Sequence, residues 1–180
     1  MNTQKDTREL LLDSAFSSFY KHGYQGANIA AILKEVGINK GSMYHFFKSK
    51  KALALAVIKE RIERNLMAKY EAVLAEKKSV ESLFDTLRAA PLTLVYGCPL
   101  NKMSQEMVYI DEDFKVLLAE VYVGFETAIE KILVKGKIAD ASEKAKLLIA
   151  TYEGALMIYH LNQNKEQFKE SLTTLEHELH

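Results

Sequence analysis

Residues 28–50 of this 180-residue chain are NIAAILKEVGINKGSMYHFFKSK. Gly37 interrupts the helical spacing of the apolar residues and separates two short segments. Asn28 and Asn39 precede these segments, and asparagine is a good N-cap because its side-chain oxygen accepts a hydrogen bond from a first-turn amide. The stretch therefore predicts two short helices joined by a tight turn, which is a helix-turn-helix.

The second short helix has the composition that a helix in a DNA major groove needs, since its exposed face cannot be bulky and apolar. Lys40 supplies a cation, Gly41 permits a close approach of the backbone, and Ser42 supplies a small hydroxyl. Lysines around residue 50 add positive charge beside the start of the next helix, where phosphate groups also find free amides. We therefore expect this stretch to bind double-stranded DNA.

Helical periodicity fills the remainder of the chain, and no stretch alternates convincingly with a period of two residues. We expect an all-α fold of about nine helices. The helix-turn-helix domain is placed at residues 1–48, a connecting helix at residues 49–76, and a larger helical domain at residues 77–180.

Composition narrows the class of protein. Apolar residues make up 48% of the chain and charged residues 27%, which is typical of a globular protein. The longest apolar run, Ala52–Ile58, is too short to cross a membrane, and from the charges at residues 5–9 we expect no secretory signal. Cys98 is the only cysteine, so an internal disulfide is impossible and a cytoplasmic location is expected.

The charges cancel over the whole chain but not within its parts. Residues 1–60 hold nine basic and five acidic residues, a net charge of +4, and residues 61–180 hold 15 basic and 19 acidic residues, a net charge of −4. This asymmetry is compatible with a DNA-facing part and a part that does not touch DNA.

Residues 8–53 resemble the DNA-binding region of the TetR family of bacterial transcriptional regulators. The matching residues are Arg8, Leu11, Ala15, Phe19, Gly23, Tyr24, Ile32, the run VGINKGSMYHFF at residues 36–47, Ser49, Lys50 and Leu53. The sequence departs from the family at Asn28, where Ser or Thr is common, at Ala30, where a polar residue is common, and at Leu33, where a small residue is common.

The resemblance implies a role for each DNA-facing residue. Tyr44, His45 and Lys50 are expected to hold phosphates, whereas Lys40, Gly41 and Ser42 are expected to face bases. Asn28 is expected to cap its helix or to reach a phosphate. The full set of expected DNA-binding residues is Asn28, Lys40, Gly41, Ser42, Tyr44, His45, Lys48 and Lys50.

The later residues are similar, more loosely, to the regulatory domain of the same family, through GCPLN at residues 97–101, SQE at 104–106 and YEGAL at 152–156. This similarity implies a small-molecule effector and no cofactor. Aromatic and methionine side chains suit an adaptable apolar pocket. The candidate pocket residues are Phe84, Leu87, Tyr96, Cys98, Met103, Met107, Phe114, Leu118, Tyr122 and Phe125.

The resemblance also implies that the last two helices pair with a second copy of the chain. Both carry an apolar face, which could form a four-helix dimer interface or belong to the internal core. The candidate interface residues are Leu148, Tyr152, Ala155, Leu156, Tyr159, Phe168, Leu172 and Leu175.

Enzyme functions find no support in the sequence. No Ser or Cys nucleophile has a recognisable base, and the histidines form no Glu-x-x-His pair, so we predict neither catalytic residues nor a metal site. The leading hypothesis is a homodimeric repressor that leaves a palindromic operator when a small, largely apolar molecule binds. The alternatives are a thiol-based redox regulator that uses Cys98 and a helical partner-binding protein that no longer binds DNA.

Overall fold

The computed structural model of the chain describes residues 3–179. A π-helical segment, Ile58–Glu63, joins two of its helices without a break. The helices are α1 (Thr3–Gly26), α2 (Ile29–Val36), α3 (Lys40–Phe46), α4 (Lys50–Val57), α5 (Arg64–Ala75), α6 (Ser79–Arg88), α7 (Ala90–Thr93), α8 (Pro99–Met107), α9 (Glu112–Lys135), α10 (Ala141–Asn162) and α11 (Lys165–Leu179). The regular elements of residues 3–179 are all helical, which confirms the predicted fold class.

Side-chain caps begin the short helices near the N-terminus. The Asn39 Oδ1 atom accepts a hydrogen bond of 2.9 Å from the amide of Ser42 at the start of α3. The Ser49 Oγ atom accepts one of 3.0 Å from the amide of Ala52 at the start of α4. Each cap satisfies a first-turn amide that has no partner inside the helix. These boundaries are therefore set by residues a few positions apart.

The helices divide into two compact units that differ from the predicted domains. The first unit contains the described residues up to Asn65 together with Lys102–Ala119, and the second contains Leu66–Asn101 and the described residues from Glu120. The predicted boundaries at residues 48 and 76 do not separate these units. The reason is that α4 packs on α1, and that Lys102–Ala119 returns to the first unit.

The core of the first unit forms where α1 packs against α4. Leu11, Leu12 and Phe19 of α1 are buried, as are Leu53 and Val57 of α4. Burying a side chain of this size contributes roughly 1.5–3 kcal/mol to stability. The apolar spacing of α1 and α4 that the sequence displays thus marks the core.

Ion pairs join α1 to the π-helical segment. Arg61 Nε donates to Asp13 Oδ1 at 2.5 Å, and Arg61 Nη2 donates to Glu9 Oε2 at 2.8 Å. Arg8 holds both carboxylate oxygens of Glu60, at 2.7 and 2.5 Å. Such two-pronged arginine–carboxylate contacts fix the angle between their helices as well as their distance.

The second unit is built largely on α10 and α11, which pack against each other. Leu148 and Leu156 of α10, and Phe168 and Leu172 of α11, are buried between them or against neighbouring helices. Arg88 at the end of α6 forms an ion pair with a glutamate of α11.

Among the described residues, no helix combines the length and the apolar character that crossing a membrane would require.

Candidate functional site

The turn between α2 and α3 has a fixed geometry. Gly37 ends α2 in the left-handed conformation, with φ 75° and ψ 29°, which a residue with a side chain adopts at a cost. The amide of Ile38 donates to the carbonyl of Leu33 at 3.0 Å, which closes the end of the helix. Together with the Asn39 cap, this turn sets the direction of α3.

Helix α3 presents a polar face to solvent and anchors itself with an apolar one. Met43 is 1% exposed, whereas Tyr44 is 41% exposed, and Lys40, Gly41 and His45 are also exposed. A Cβ atom added to Gly41 would lie 3.2 Å from the capping oxygen of Asn39, a tight contact. The exposed face therefore combines a cation, bare backbone and two rings that carry polar atoms.

Two lysines lie close to the aromatic ring and backbone of Tyr44. The Lys40 Nζ atom is 5.8 Å from the centre of the Tyr44 ring, within the range of a cation–π contact. The Lys48 Nζ atom donates to the carbonyl oxygen of Tyr44 at 3.2 Å. Lysines 40 and 48 thus bring two positive charges to one exposed tyrosine, an arrangement that attracts a phosphate group.

The ammonium of Lys50, which was expected to hold a phosphate, instead binds backbone carbonyl groups. Its Nζ atom donates to the carbonyl oxygen of Ala27 at 2.7 Å and to that of Gln25 at 3.4 Å. It also lies 4.8 Å from the centre of the Tyr24 ring. The side chain is half-buried, and this burial lowers the pKa of Lys50. In this conformation Lys50 ties α4 to the end of α1.

Asn28 was expected either to cap α2 or to reach a phosphate, and the structure shows that it caps α2. Its Oδ1 atom accepts a hydrogen bond of 2.8 Å from the amide of Ala30, while the residue stays exposed. Ser42 is half-buried, and its Oγ atom donates to the Asn39 Oδ1 atom at 3.2 Å. Contact of either side chain with DNA remains a prediction.

Glu106 and Lys102 of α8, which were not among the predicted site residues, bind the end of α1. Glu106 accepts hydrogen bonds of 2.7 Å from the amides of Tyr24 and Gln25. These two amides lack partners within the helix because Gly23, with φ 75° and ψ 169°, interrupts the helical hydrogen bonds. Lys102 Nζ donates to the carbonyl of Tyr20 at 2.7 Å. A pattern of neighbouring residues in the sequence cannot indicate hydrogen-bond partners that lie about 80 positions apart.

The structure assigns the expected pocket residues to two different cores. Met103, Met107, Phe114 and Leu118 are buried in the first unit, where the Phe114 ring packs 5.1 Å from the Tyr24 ring. Phe84, Leu87, Cys98 and Phe125 are buried in the second unit, and Tyr122 is half-buried there. Tyr96 is 44% exposed, so it lies on the surface and not in the interior, contrary to expectation.

Cys98 lies beside a buried carboxylate. Its thiol donates a hydrogen bond to Glu153, and the Asn101 Nδ2 atom donates to Glu153 Oε2 at 3.1 Å. Burial and the nearby Glu153 charge raise the pKa of the Cys98 thiol, and burial also raises the pKa of Glu153. Because the thiolate is the nucleophile, this environment disfavours the redox alternative.

The predicted dimer residues are mostly core residues of a single chain. Tyr159 is half-buried, and the structure buries the other seven, which are Leu148, Tyr152, Ala155, Leu156, Phe168, Leu172 and Leu175. Periodicity identified the correct apolar stripes, but these side chains pack within the protomer. The exposed apolar residues of α10 are instead Leu147, Met157, Ile158 and Leu161.

Two family models match the chain. The model described as bacterial regulatory proteins of the tetR family matches residues 11–57. The model described as the C-terminal domain of LmrA/YxaF-like transcriptional regulators matches residues 72–172, which is more than half of the chain. The two matches include the helix-turn-helix and most of the second unit.

Known transcriptional regulators of similar length are also similar to this chain in sequence. An HTH-type transcriptional regulator in the lacX 3′ region of Lactococcus lactis subsp. lactis is 28% identical over 176 residues, which cover 89% of this chain and 86% of that protein. The HTH-type transcriptional repressor NemR of Escherichia coli K12 is 25% identical over 188 residues, which cover 95% of this chain and 92% of NemR.

A crystal structure of a TetR transcriptional regulator from Chloroflexus aurantiacus J-10-FL has the same fold, with a TM-score of 0.87 and 26% identity. The superposition covers 98% of this chain and 96% of that chain. The capped helix-turn-helix and its exposed cationic face lie within the residues that the first family model matches. The chain belongs to the TetR family of bacterial regulatory proteins and is a DNA-binding transcriptional regulator.

Proposed function

We propose that the chain is a cytoplasmic repressor that binds a palindromic operator as a homodimer and leaves it when a small molecule binds the second unit. The observation that carries the proposal is the exposed face of α3, which holds Lys40, Gly41, Tyr44 and His45 above the buried Met43. The chain is similar to NemR, whose name describes a transcriptional repressor, and this similarity supports repression over activation.

Each side chain of the face has a role in this proposal. Lys40 and Ser42 read base edges, and Gly41 lets the backbone approach them. Tyr44, His45 and Lys48 hold phosphates, which position the helix in the groove. Lys50 supports the site indirectly, because its ammonium fixes the end of α1 against α4.

A second copy of the chain is proposed to pack on the exposed side of α10. Leu147, Gly154 and Leu161 recur every seven residues, and Met157 and Ile158 lie between the last two. Nothing lies within 4 Å of a Cβ atom added to Gly154, so the backbone there is open to a partner helix. A two-fold dimer would present two α3 helices roughly 34–36 Å apart, one turn of DNA.

Operator binding tests the proposal. A duplex enriched by the wild-type protein from a random-sequence pool serves as the probe in a fluorescence-anisotropy titration. Lys40→Ala should weaken binding about tenfold and relax the sequence preference, which corresponds to the loss of one base contact. Lys131→Ala removes an exposed lysine of the second unit and should leave the affinity unchanged.

The same titration distinguishes a DNA-binding regulator from a partner-binding protein. The wild-type affinity should fall steeply as salt rises, because bound phosphates release counterions, and Lys48→Ala should reduce the slope by about one. Failure to enrich any duplex, together with no affinity at low salt, would contradict the proposal. Release of the duplex by a small-molecule extract of the producing organism tests the effector separately.

A further inference from the structure

A groove of the first unit lies between α1 and α2 and contains no residue of α3. Its volume is about 510 Å³, and residues of both helices line it, among them Lys21, His22 and Asn28. These three residues are exposed to solvent. The groove therefore brings polar side chains from two helices to one concave surface beside the helix-turn-helix.

The charges of this groove are separated along its length. Lys21 and Asn28 line it near the point where the chain passes from α1 into α2. Glu35 follows Asn28 by seven positions, which is about 10 Å along a helix, and its carboxylate accepts a hydrogen bond of 2.6 Å from the hydroxyl of Ser14. Ser14 precedes Lys21 by the same number of positions. The negative charge is therefore held at one end of the groove, and the positive charge lies at the other.

The basic groups at the positive end are available to a ligand. Many basic side chains of the first unit bind carboxylates or backbone carbonyls, as Arg61 and Lys50 do. Within the described part of the chain, the Lys21 ammonium and the His22 ring take part in no hydrogen bond or ion pair. Both groups can therefore contact a ligand without giving up a protein partner.

Asn28 adds a hydrogen-bond donor at the same end. Its Oδ1 atom caps α2 by accepting a hydrogen bond of 2.8 Å from the amide of Ala30. The cap leaves the Nδ2 group, which can only donate. The Lys21 ammonium is also only a donor, and the His22 ring carries at least one N–H donor. Donors of this kind select for an anionic oxygen ligand such as a phosphate.

The contacts of Lys50 and Lys48 connect this end of the groove to the DNA-facing surface. The Lys50 Nζ atom donates to the carbonyl oxygen of Ala27, which is the residue before Asn28. Lys48 donates to the carbonyl oxygen of Tyr44 on α3. Two positions of chain span at most about 7 Å, so the two lysines lie close together. Tyr44 and Asn28 are therefore the two ends of a short stretch of the unit that one DNA strand can follow.

We propose that Lys21, His22 and the Nδ2 group of Asn28 hold a phosphate of the operator backbone, beyond the phosphates that α3 contacts. The proposal rests on the DNA binding in the proposed function and extends the interface onto α1. A strand fixed at α3 presents this phosphate at a high effective concentration, which a free anion does not have. The contact positions the strand and reads no base, because a phosphate carries no sequence information.

Lys21→Ala tests the contact in the anisotropy titration with the enriched duplex. The affinity should fall about three- to fivefold, as for one exposed ion pair, and the salt dependence should lose about one unit of slope. Lys34→Ala is the matched control, because Lys34 is an exposed lysine of α2 that does not line the groove. It should keep the wild-type affinity and slope. Wild-type values in Lys21→Ala, or equal losses in both variants, would overturn the proposal.

Neutral phosphates locate the contact on the DNA. In a series of duplexes, each with one phosphate replaced by a methylphosphonate, one position should weaken wild-type binding but cause no further loss in Lys21→Ala. Such non-additive losses mark a direct contact, whereas a general effect of charge or folding is additive. Lys48→Ala should couple to a different phosphate, the one at Tyr44. Additive losses for Lys21→Ala at every position would refute the contact.

Two further variants test whether the three residues share one phosphate. His22→Ala should couple to the same methylphosphonate position as Lys21→Ala. Asn28→Asp keeps an oxygen that caps α2 but replaces the donor with a negative charge, so it should weaken binding several-fold while the thermal stability stays unchanged. Coupling of His22 and Lys21 to different phosphates would contradict a shared site.

Failure of the groove contact and failure of the proposed function give different results. If Lys40→Ala weakens binding and Lys21→Ala does not, the groove holds no phosphate and the regulator still binds DNA through α3. If the wild-type protein binds no duplex at low salt, the proposed function fails together with the groove contact.

Discussion

The Glu106 carboxylate accepts a hydrogen bond of 2.7 Å from the backbone amide of Tyr24, 82 positions earlier in the chain. A second bond of the same length comes from the amide of Gln25. Both amides lie just after the break at Gly23 and would otherwise lack helical partners. Glu106 thus acts as an N-cap that a helix distant in sequence supplies to the end of α1.

We expect Glu106→Ala to lower the free energy of unfolding by about 1–3 kcal/mol, because the partly buried amide of Tyr24 and the exposed amide of Gln25 both lose a charged acceptor. Urea denaturation followed by circular dichroism measures the change. Glu106→Gln keeps one acceptor oxygen and should recover part of the loss. A variant with two alanines, at Glu106 and at Lys102, shows whether the two α8 contacts stabilise α1 independently. Wild-type stability in Glu106→Ala would contradict the capping role.

Gly23→Ala should be more harmful than an ordinary glycine substitution. The residue has a φ of 75°, and a Cβ atom would lie 2.7 Å from Glu106 Oε2. Backbone strain of this kind costs about 1–3 kcal/mol, and displacement of the Glu106 cap adds to it. Gly26→Ala is the matched control, because its Cβ atom would meet only His22, at an ordinary 3.7 Å. Thermal unfolding of the two variants should differ clearly, and equal melting temperatures would exclude a special role for Gly23.

The Arg8–Glu60 ion pair predicts a pH-dependent contribution to stability. The hydrogen bonds from Arg8 lower the pKa of Glu60 below its ordinary value of 4.5. Its stabilisation is therefore present above that value and is lost as the pH falls through the lower folded-state pKa. Both side chains are 33% exposed, so the pair contributes only about 0.5–1 kcal/mol.

Arg8→Met should reduce stability by that amount at neutral pH, and its deficit should shrink as the pH falls below 4.5. Denaturant titrations of both proteins across this range give the difference. The Lys59–Glu63 pair, at 2.8 Å within the π-helical segment, offers a comparison through Lys59→Met. A deficit in Arg8→Met that does not change with pH would assign its effect to lost packing on Phe47.

The exposed stripe of α10 predicts the oligomeric state. Leu147→Glu combined with Leu161→Glu should convert a dimer into a monomer, because two buried charges per chain would face an apolar partner surface. Sedimentation velocity gives the mass directly. Val123→Glu combined with Val134→Glu changes two equally exposed valines of α9 and should leave the dimer intact. Dissociation in both double variants, or in neither, would place the interface elsewhere.

Local chemistry explains which parts of the fold were predictable. The helix-turn-helix follows from Asn39, Gly37 and Ser49, which act on residues within a few positions. The partners of Lys50 and Glu106 depend on chain segments far apart in sequence, and no spacing rule connects them. Periodicity likewise marks Leu148 and Leu172 as apolar-facing, but it cannot distinguish a protomer core from a subunit interface.

The short distance between Gly41 and the capping oxygen of Asn39 limits how the operator preference can change by mutation. Any side chain there would press against the oxygen that starts α3, so a mutation at this position changes the start of the helix and the contact surface together. Lys40 and His45 carry no comparable constraint, because their side chains extend into solvent. Divergence toward new operators should therefore occur more readily at those two positions than at position 41.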